Sequence, residues 1–296
     1  MFHKGSSFVA PYLDLSNSVV SAERSSQYGK PKIIFAKMAD RIEAFFDSNG
    51  EYSSANTNFV YDSSTYDLYY LTSILNSNVM SALYSGYFGA LIMSGGYFQF
   101  QAPQLRVLPI RRIHFTTSEV ERKKGVEGLK TLYKKGGEAG VLAEVERCLP
   151  KDKKGEFSAF KPGATGAEEK SDVVHDFLAF LAERMIALHK ERQEKAKQFT
   201  GWLQEIKGID TGALRSVLKE FWTLDEDGLA QVFKAKKIRA SAENWSEIKD
   251  ELAKYRKAIL ALNAKVAFTD DLIDRIVYRL YGLTPDEIEL VKASLQ

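Results

Sequence analysis

The groups best suited to chemistry in this chain are cations and amides split across one window. Lys30, Lys32, Lys37 and Arg41 lie before it, and Arg106, Arg111 and Arg112 lie after it. Between Glu43 and Leu105 there are five acidic residues and no Lys or Arg. Gln99 and Gln101 sit near the end of this window. If strands on its two sides are neighbours, these side chains merge into one basic edge beside two amides. Arg and Lys suit phosphates and guanine edges, and Gln suits adenine, so the chemistry would be recognition of DNA. The plainer reading is solvated surface with helix-capping cations. The net charge of +2 does not mark a nucleic-acid binder in bulk, so the case rests on local distribution.

Other chemistries lack their residues. No GxxxxGK[ST] loop, GxGxxG turn, GxSxG elbow or HExxH pair occurs. The single cysteine, Cys148, excludes an internal disulfide, and it shares no ligand spacing with His3, His114, His175 or His189. Asp225 and Asp227 are spaced like part of a calcium loop, but the glycine and glutamate of such a loop do not follow, and a helix start explains them. Asp270, Asp271 and Asp274, with Arg275 alongside, read as a solvated, partly charge-paired helix face. No catalytic or metal-binding residue is assigned. One cysteine fits a reducing, cytoplasmic setting. No apolar run approaches the ~18 residues of a membrane span, and the N-terminus lacks the pattern of a secretory signal.

The elements that position these groups give an α+β chain. Phe8–Tyr12 reads as extended, with no cap or turn before it, as expected for a start inside a longer protein; the polar residues up to 30 follow. Strands are expected at 32–38, 41–47 and 58–61, with Ser48-Asn49-Gly50 supplying hairpin turn chemistry. Leu68, Leu71, Ile74 and Leu75 share a helical face, and Val79, Leu83 and Tyr87 mark the next helix. After Gly95-Gly96, Phe98 and Phe100 alternate with Gln99 and Gln101 as a half-buried strand. Residues 1–115 thus form a small mixed α/β domain. Residues 116–170 form a helical linker, with helices at 118–135 and 138–149 broken by Gly136-Gly137, a cap at Thr117 or Ser118, and an exposed loop at 151–168.

Residues 171–296 are all-α. About 33 residues of helix, roughly 50 Å, carry the seam Leu178, Leu181, Met185, Leu188, Arg192, Lys195, Phe199 and Trp202. A second long helix is expected at 243–266, with shorter ones at 211–221 and 225–234. A last helix, at 284–295, is capped by Thr284 with Pro285 and Glu287 behind it.

Five pieces in order carry a family resemblance: Pro31-Lys32-Ile33-Ile34-Phe35, Asp47-Ser48-Asn49-Gly50-Glu51-Tyr52, Leu71-Thr72-Ser73-Ile74-Leu75-Asn76-Ser77, Gly95-Gly96-Tyr97-Phe98-Gln99-Phe100 and Leu108-Pro109-Ile110. Together they resemble the C-terminal target-recognition domain of adenine-specific DNA methyltransferases and fused Type IIG restriction–modification enzymes. The run from Ile273 to Ile288 is similar to the C-terminal tail of such enzymes. The resemblance implies a module that selects the double-stranded DNA site for adenine-N6 methylation or cleavage. It implies S-adenosylmethionine, with Mg in a nuclease, in the parent enzyme and not in this chain. The Asn-Pro-Pro-(Tyr/Phe) loop that receives a flipped adenine is absent, because no proline here is doubled or preceded by Asn. Catalysis is therefore expected from a methyltransferase or nuclease region in cis or in trans. As in Type I specificity subunits, to which the plan is similar, the long helices would be spacers. Family motifs mark scaffold, so Lys30, Lys32, Lys37, Arg41, Gln99, Gln101, Arg106, Arg111 and Arg112 are the expected contacts around it. Two rivals remain: a docking module for a catalytic partner that reads no DNA, and an enzyme with a dispersed site.

Overall fold

The computed structural model describes residues 29–52, 57–61, 65–93, 95–151, 169–205, 207–209, 211–212 and 214–295. The expectations for 8–12 and for the loop beyond Lys151 lie outside them. The chain divides into two units, one formed by 1–182 with 273–296 and one by 183–272.

In the first unit, strand β1 (Lys32–Ala36) is the centre of a sheet ordered β3-β1-β4, with β3 at Ala44–Asp47 and β4 at Thr57–Val60. Both neighbours are antiparallel; Ile33 faces Phe46 on one side and Val60 on the other. Ile33 and Phe35 are buried by period-two alternation. The expected hairpin at Ser48–Gly50 is corrected: β3 and β4 flank β1 and do not pair with each other. The turn itself forms, with Gly50 at φ 70°, but Asp47 accepts from Glu51 N at 3.1 Å and Tyr52 N at 2.9 Å and ties the outgoing chain to its own strand end. A Cβ at Gly50 would lie 2.3 Å from the Gly29 carbonyl oxygen, so this turn accepts only glycine.

Strand β2 (Met38–Ala39) leaves the sheet and pairs antiparallel with β5 (Phe98–Gln99). Helix α1 (Leu68–Leu75) starts at Asp67, whose side chain accepts from Tyr69 N, and buries Tyr70, Leu71, Ile74 and Leu75. Helix α2 (Asn78–Phe88) starts at Ser77, whose Oγ accepts from Met80 N. Between them Asn76 acts as a substitute strand partner. Its Oδ1 accepts from Ala44 N and its Nδ2 donates to Ala44 O, both at 2.8 Å, so the Leu-Asn-Ser helix end is fastened to β3. Asn76→Ala should cost about 1 kcal/mol, since the contact is exposed and water replaces part of it. A urea-denaturation midpoint shift with unchanged slope checks this.

A four-residue helix, α3 (Ala102–Leu105), follows β5, and then come α4 (Glu119–Lys134) and α5 (Glu138–Cys148). Ser118 is the cap of α4, while Thr117 donates its hydroxyl and amide to the buried Asp172 at 2.7 and 2.9 Å. Helix α6 (Ser171–Glu205) and helix α9 (Ala242–Tyr281) contribute residues to both units. In the second unit the chain passes through α7 (Arg215–Leu218), a 3-10 turn at Phe221–Thr223 and α8 (Glu226–Ala235). The helix expected at 211–221 is thus one turn only. The Trp222 carbonyl, which a continuing helix would use internally, accepts from Arg256 Nε at 3.1 Å. The helix expected to stop at 266 runs on to Tyr281, because no Gly or Pro interrupts it before Gly282. Phe199, Leu203, Leu214, Phe221, Leu229, Ile248 and Leu252 close a core within this unit. The seam's Leu178, Leu181, Leu188 and Phe199 are fully buried. Helix α10 (Pro285–Ala293) carries the complete Thr284/Glu287 capping box. Among the described residues no helix is long and apolar enough to cross a membrane.

Candidate nucleic-acid interface

The β2–β5 ribbon brings part of the expected edge together. Met38 faces Gln99 and Ala39 faces Phe98, and Phe100 N donates to Lys37 O at 2.9 Å. One face is fixed in the core: Phe98 and Phe100 pack against Tyr84, with ring centroids at 5.7 and 4.5 Å. Tyr84 donates its hydroxyl to Gln99 O at 2.8 Å, and Asn58 Nδ2 donates to Phe100 O at 2.6 Å. The other face is presented to solvent, with Met38 53% exposed beside Gln99. Gln101 Nε2 donates to Gln99 Oε1 at 2.7 Å, which orients both amides.

The turn entering β5 closes by Met93 N to Tyr97 O at 2.9 Å and Gly96 N to Met93 O at 3.1 Å, with positive φ at Gly95 and Gly96. It exposes Ile92, Met93 and Tyr97, the last to 49%. Sequence reasoning missed Met38 and Tyr97 as surface groups. The only signal was the Gly-Gly turn that projects one of them.

The other expected contacts divide. Lys30, Arg41, Arg106 and Arg112 are exposed and Lys37 is half-buried. Arg41 lies two residues beyond β2, and Arg106 is the C-cap of α3, one helical turn after Gln101. Lys30 precedes β1, and Arg112 lies beyond the ribbon, where its carbonyl accepts from Arg111 Nη1. Lys32 and Arg111 are corrections. Lys32 is fully buried and paired with Asp47 at 2.7 Å. Arg111 is buried and donates Nη2 to Glu169 Oε1 and Oε2 at 2.9 and 3.1 Å. Neither side chain can reach a ligand, since each counter-charge lies inside the unit.

Arg111 also joins the two segments of the family resemblance. Its Nε donates to Leu280 O at 3.1 Å, its backbone N donates to Tyr281 Oη at 3.0 Å, and Tyr281 donates that hydroxyl to Pro109 O at 2.8 Å. The Leu108-Pro109-Ile110 close is therefore clamped by the end of α9. Burial pushes the Tyr281 phenol well above its ordinary value, so it remains a donor. Asp274 corrects the reading of a solvated acidic face. It is half-buried, and its carboxylate accepts from Asn78 N at 2.8 Å and Asn78 Nδ2 at 2.6 Å, an anion seated at the N-terminus of α2.

The remaining candidates are structural. Asp225 caps α8 by accepting from Gly228 N at 2.8 Å. Cys148 is buried, and burial pushes its thiol up to about 11, so it stays protonated at neutral pH.

Comparison with known proteins agrees with this frame. Residues 171–277 match a domain of unknown function (DUF8810), a span that encloses the second unit. No curated protein and no solved structure matches the chain. Residues 7–110 match the TaqI-like C-terminal specificity domain, and all five quoted motifs fall inside that match, from Pro31 to the clamped Ile110. By that match, residues 7–110 are similar to a TaqI-like C-terminal specificity domain.

Proposed function

We propose that the chain is the site-selecting part of a restriction–modification enzyme. It binds double-stranded DNA and directs adenine-N6 methylation or cleavage by a catalytic region in cis or in trans. S-adenosylmethionine, and Mg where cleavage occurs, belong to that catalytic region. The observation that carries the reading is the coincidence of the specificity-domain match with a rigidly mounted ribbon presenting two oriented amides. A two-stranded ribbon fits a B-DNA major groove, and Gln reads adenine there. Met38, Tyr97, Gln99 and Gln101 are assigned to base edges, and Lys30, Lys37, Arg41, Arg106 and Arg112 to phosphates. Charge supports a polyanion: no Asp or Glu lies between Asp67 and Glu119, a span that includes the whole turn, β5 and α3. An apolar strip on a solvent face also asks for a partner.

Selection of bound duplexes from a random pool tests this. The full chain should enrich one sequence. Gln99→Ala should lose about ten-fold discrimination at one base pair, and Gln99→Glu should move that preference from adenine toward cytosine. Failure of the chain, and of its intact parent, to bind duplex in a salt-sensitive way would sink the reading.

A second reading, docking of a catalytic partner, is favoured for the 183–272 unit alone. That unit closes its own core and lies within its own family match. Under it, second-unit surface substitutions weaken co-purification with the catalytic region and leave the selected sequence unchanged.

A further inference from the structure

The second unit carries a turn that the recognition domain does not explain. Helix α8 ends at Ala235, within the run Lys234-Ala235-Lys236-Lys237-Ile238-Arg239. Lys237 has φ 55°, the only positive φ of a non-glycine among the described residues. A left-handed residue after a helix is the position where glycine is favoured, and an L side chain there is strained. The turn is nonetheless well built. Lys236 N donates to Val232 O at 2.9 Å, Lys237 N to Lys234 O at 3.1 Å and Ile238 N to Phe233 O at 2.9 Å. Ile238 and Ala240 pack on the unit's core, and Phe233 meets Trp245 with ring centroids at 5.3 Å.

On this fixed base the side chains of Lys234, Lys236, Lys237 and Arg239 are all exposed. Beyond these backbone bonds, none of the four side chains makes a hydrogen bond or ion pair among the described residues. The acidic groups of the same helix, Asp225, Glu226 and Asp227, lie at its opposite end, about 15 Å away along the axis. Glu243 is the first carboxylate beyond Arg239, in the opening turn of α9. Cations near a helix C-terminus gain from the dipole, which accounts for Lys234. It does not account for a lysine in the strained position or for Arg239 beyond it. Strain kept at one residue points to a use for its side chain.

We infer that this turn is a phosphate-contact site, a second point at which the chain holds the DNA backbone, independent of sequence. The inference rests on the proposed reading that the chain binds DNA. It adds a role for the helical unit: fixing the duplex without reading it. Phosphate contacts of this kind raise affinity and salt dependence and carry no base preference.

The test uses the full chain and a labelled random-sequence duplex, titrated between 50 and 200 mM salt, on the order of the range over which such contacts show. Replacing Lys234, Lys236, Lys237 and Arg239 together by alanine should lower the slope of log affinity against log salt by about 3.6 if each meets one phosphate, at ~0.9 per contact. The sequence enriched from a random pool should not change. Lys237→Gly separates this role from a purely structural one. It relieves the strained φ and should raise Tm by a few degrees while lowering the salt slope by ~1. A quadruple variant with unchanged slope, in a chain that still selects its site, overturns the inference and leaves the recognition reading intact. A parent chain with no salt-dependent duplex binding overturns both. A Lys237→Gly variant that is more stable and binds as before returns that lysine to a structural role and counts against the site.

Discussion

Replacing Arg111 by alanine is expected to destabilise the first unit by about 3–5 kcal/mol, the range for breaking a buried pair by removing one partner. The magnitude follows from what is left behind. Glu169 is 1% exposed and would retain a buried carboxylate with no guanidinium opposite it. The Leu280 carbonyl would lose its Nε donor. The backbone amide that Tyr281 accepts from would survive, so the effect should be local to this joint and not a general weakening. Hydrogen exchange reads it by segment: amides in the last turn of α9, which carries Leu280 and Tyr281, should exchange about two to three decades faster in the variant, and those of β1 and β3 should change far less. The compensated pair Arg111→Met with Glu169→Leu should recover most of the loss, because apolar replacement of both partners removes the stranded charge. If the single variant exchanged like the parent, the clamp on Leu108-Pro109-Ile110 would not be what holds the two ends of the first unit together.

That joint shows where sequence reasoning stops. Local signals were legible. Ser118 and Gly136-Gly137 bounded α4 and α5 to within a residue or two, Thr284 and Glu287 gave the last helix, and Phe98/Phe100 alternation gave the ribbon's buried face. Each depends on residues a few positions apart. Arg111 and Lys32 were read as surface cations because a charge is buried only when a partner meets it, and their partners lie 58 and 15 positions away. The same distance hid the role of Asp274, whose partner Asn78 is 196 residues earlier. The Ser48–Gly50 turn was read as a hairpin because turn chemistry reports that the chain reverses. It does not report which strand lies beside the reversal, and here β1 took both places. Likewise Met38 looked like any strand residue until its pairing with Gln99 put it on the open face.

Removing the Lys32 ammonium is the second large effect, and its pH dependence distinguishes it from simple loss of packing. Lys32 and Asp47 are cross-strand partners on β1 and β3, both buried, with Nζ donating to Oδ2 at 2.7 Å. Burial alone would raise the Asp47 carboxyl. The Lys32 hydrogen bond, the amides of Tyr52 and Glu51 and the ammonium charge outweigh it and hold the group below its ordinary 3.8. A carboxyl lowered by folding contributes stability that is fully present above about pH 4 and is lost as pH falls through the folded value. Lys32→Met keeps the apolar stem's volume and removes the charge. Asp47 would then keep its burial cost with only the two amides opposing it, and a loss of about 3–5 kcal/mol is expected at pH 7. With the ammonium gone, the carboxyl's folded value rises, so protonation on acidification relieves the variant while it weakens the parent. The gap between the two in urea-denaturation free energy should therefore narrow steadily from pH 7 toward pH 3. A gap that stays constant across that range would mean that Lys32 acts through packing under the Phe59 ring, 5.9 Å from its ammonium, and not through Asp47.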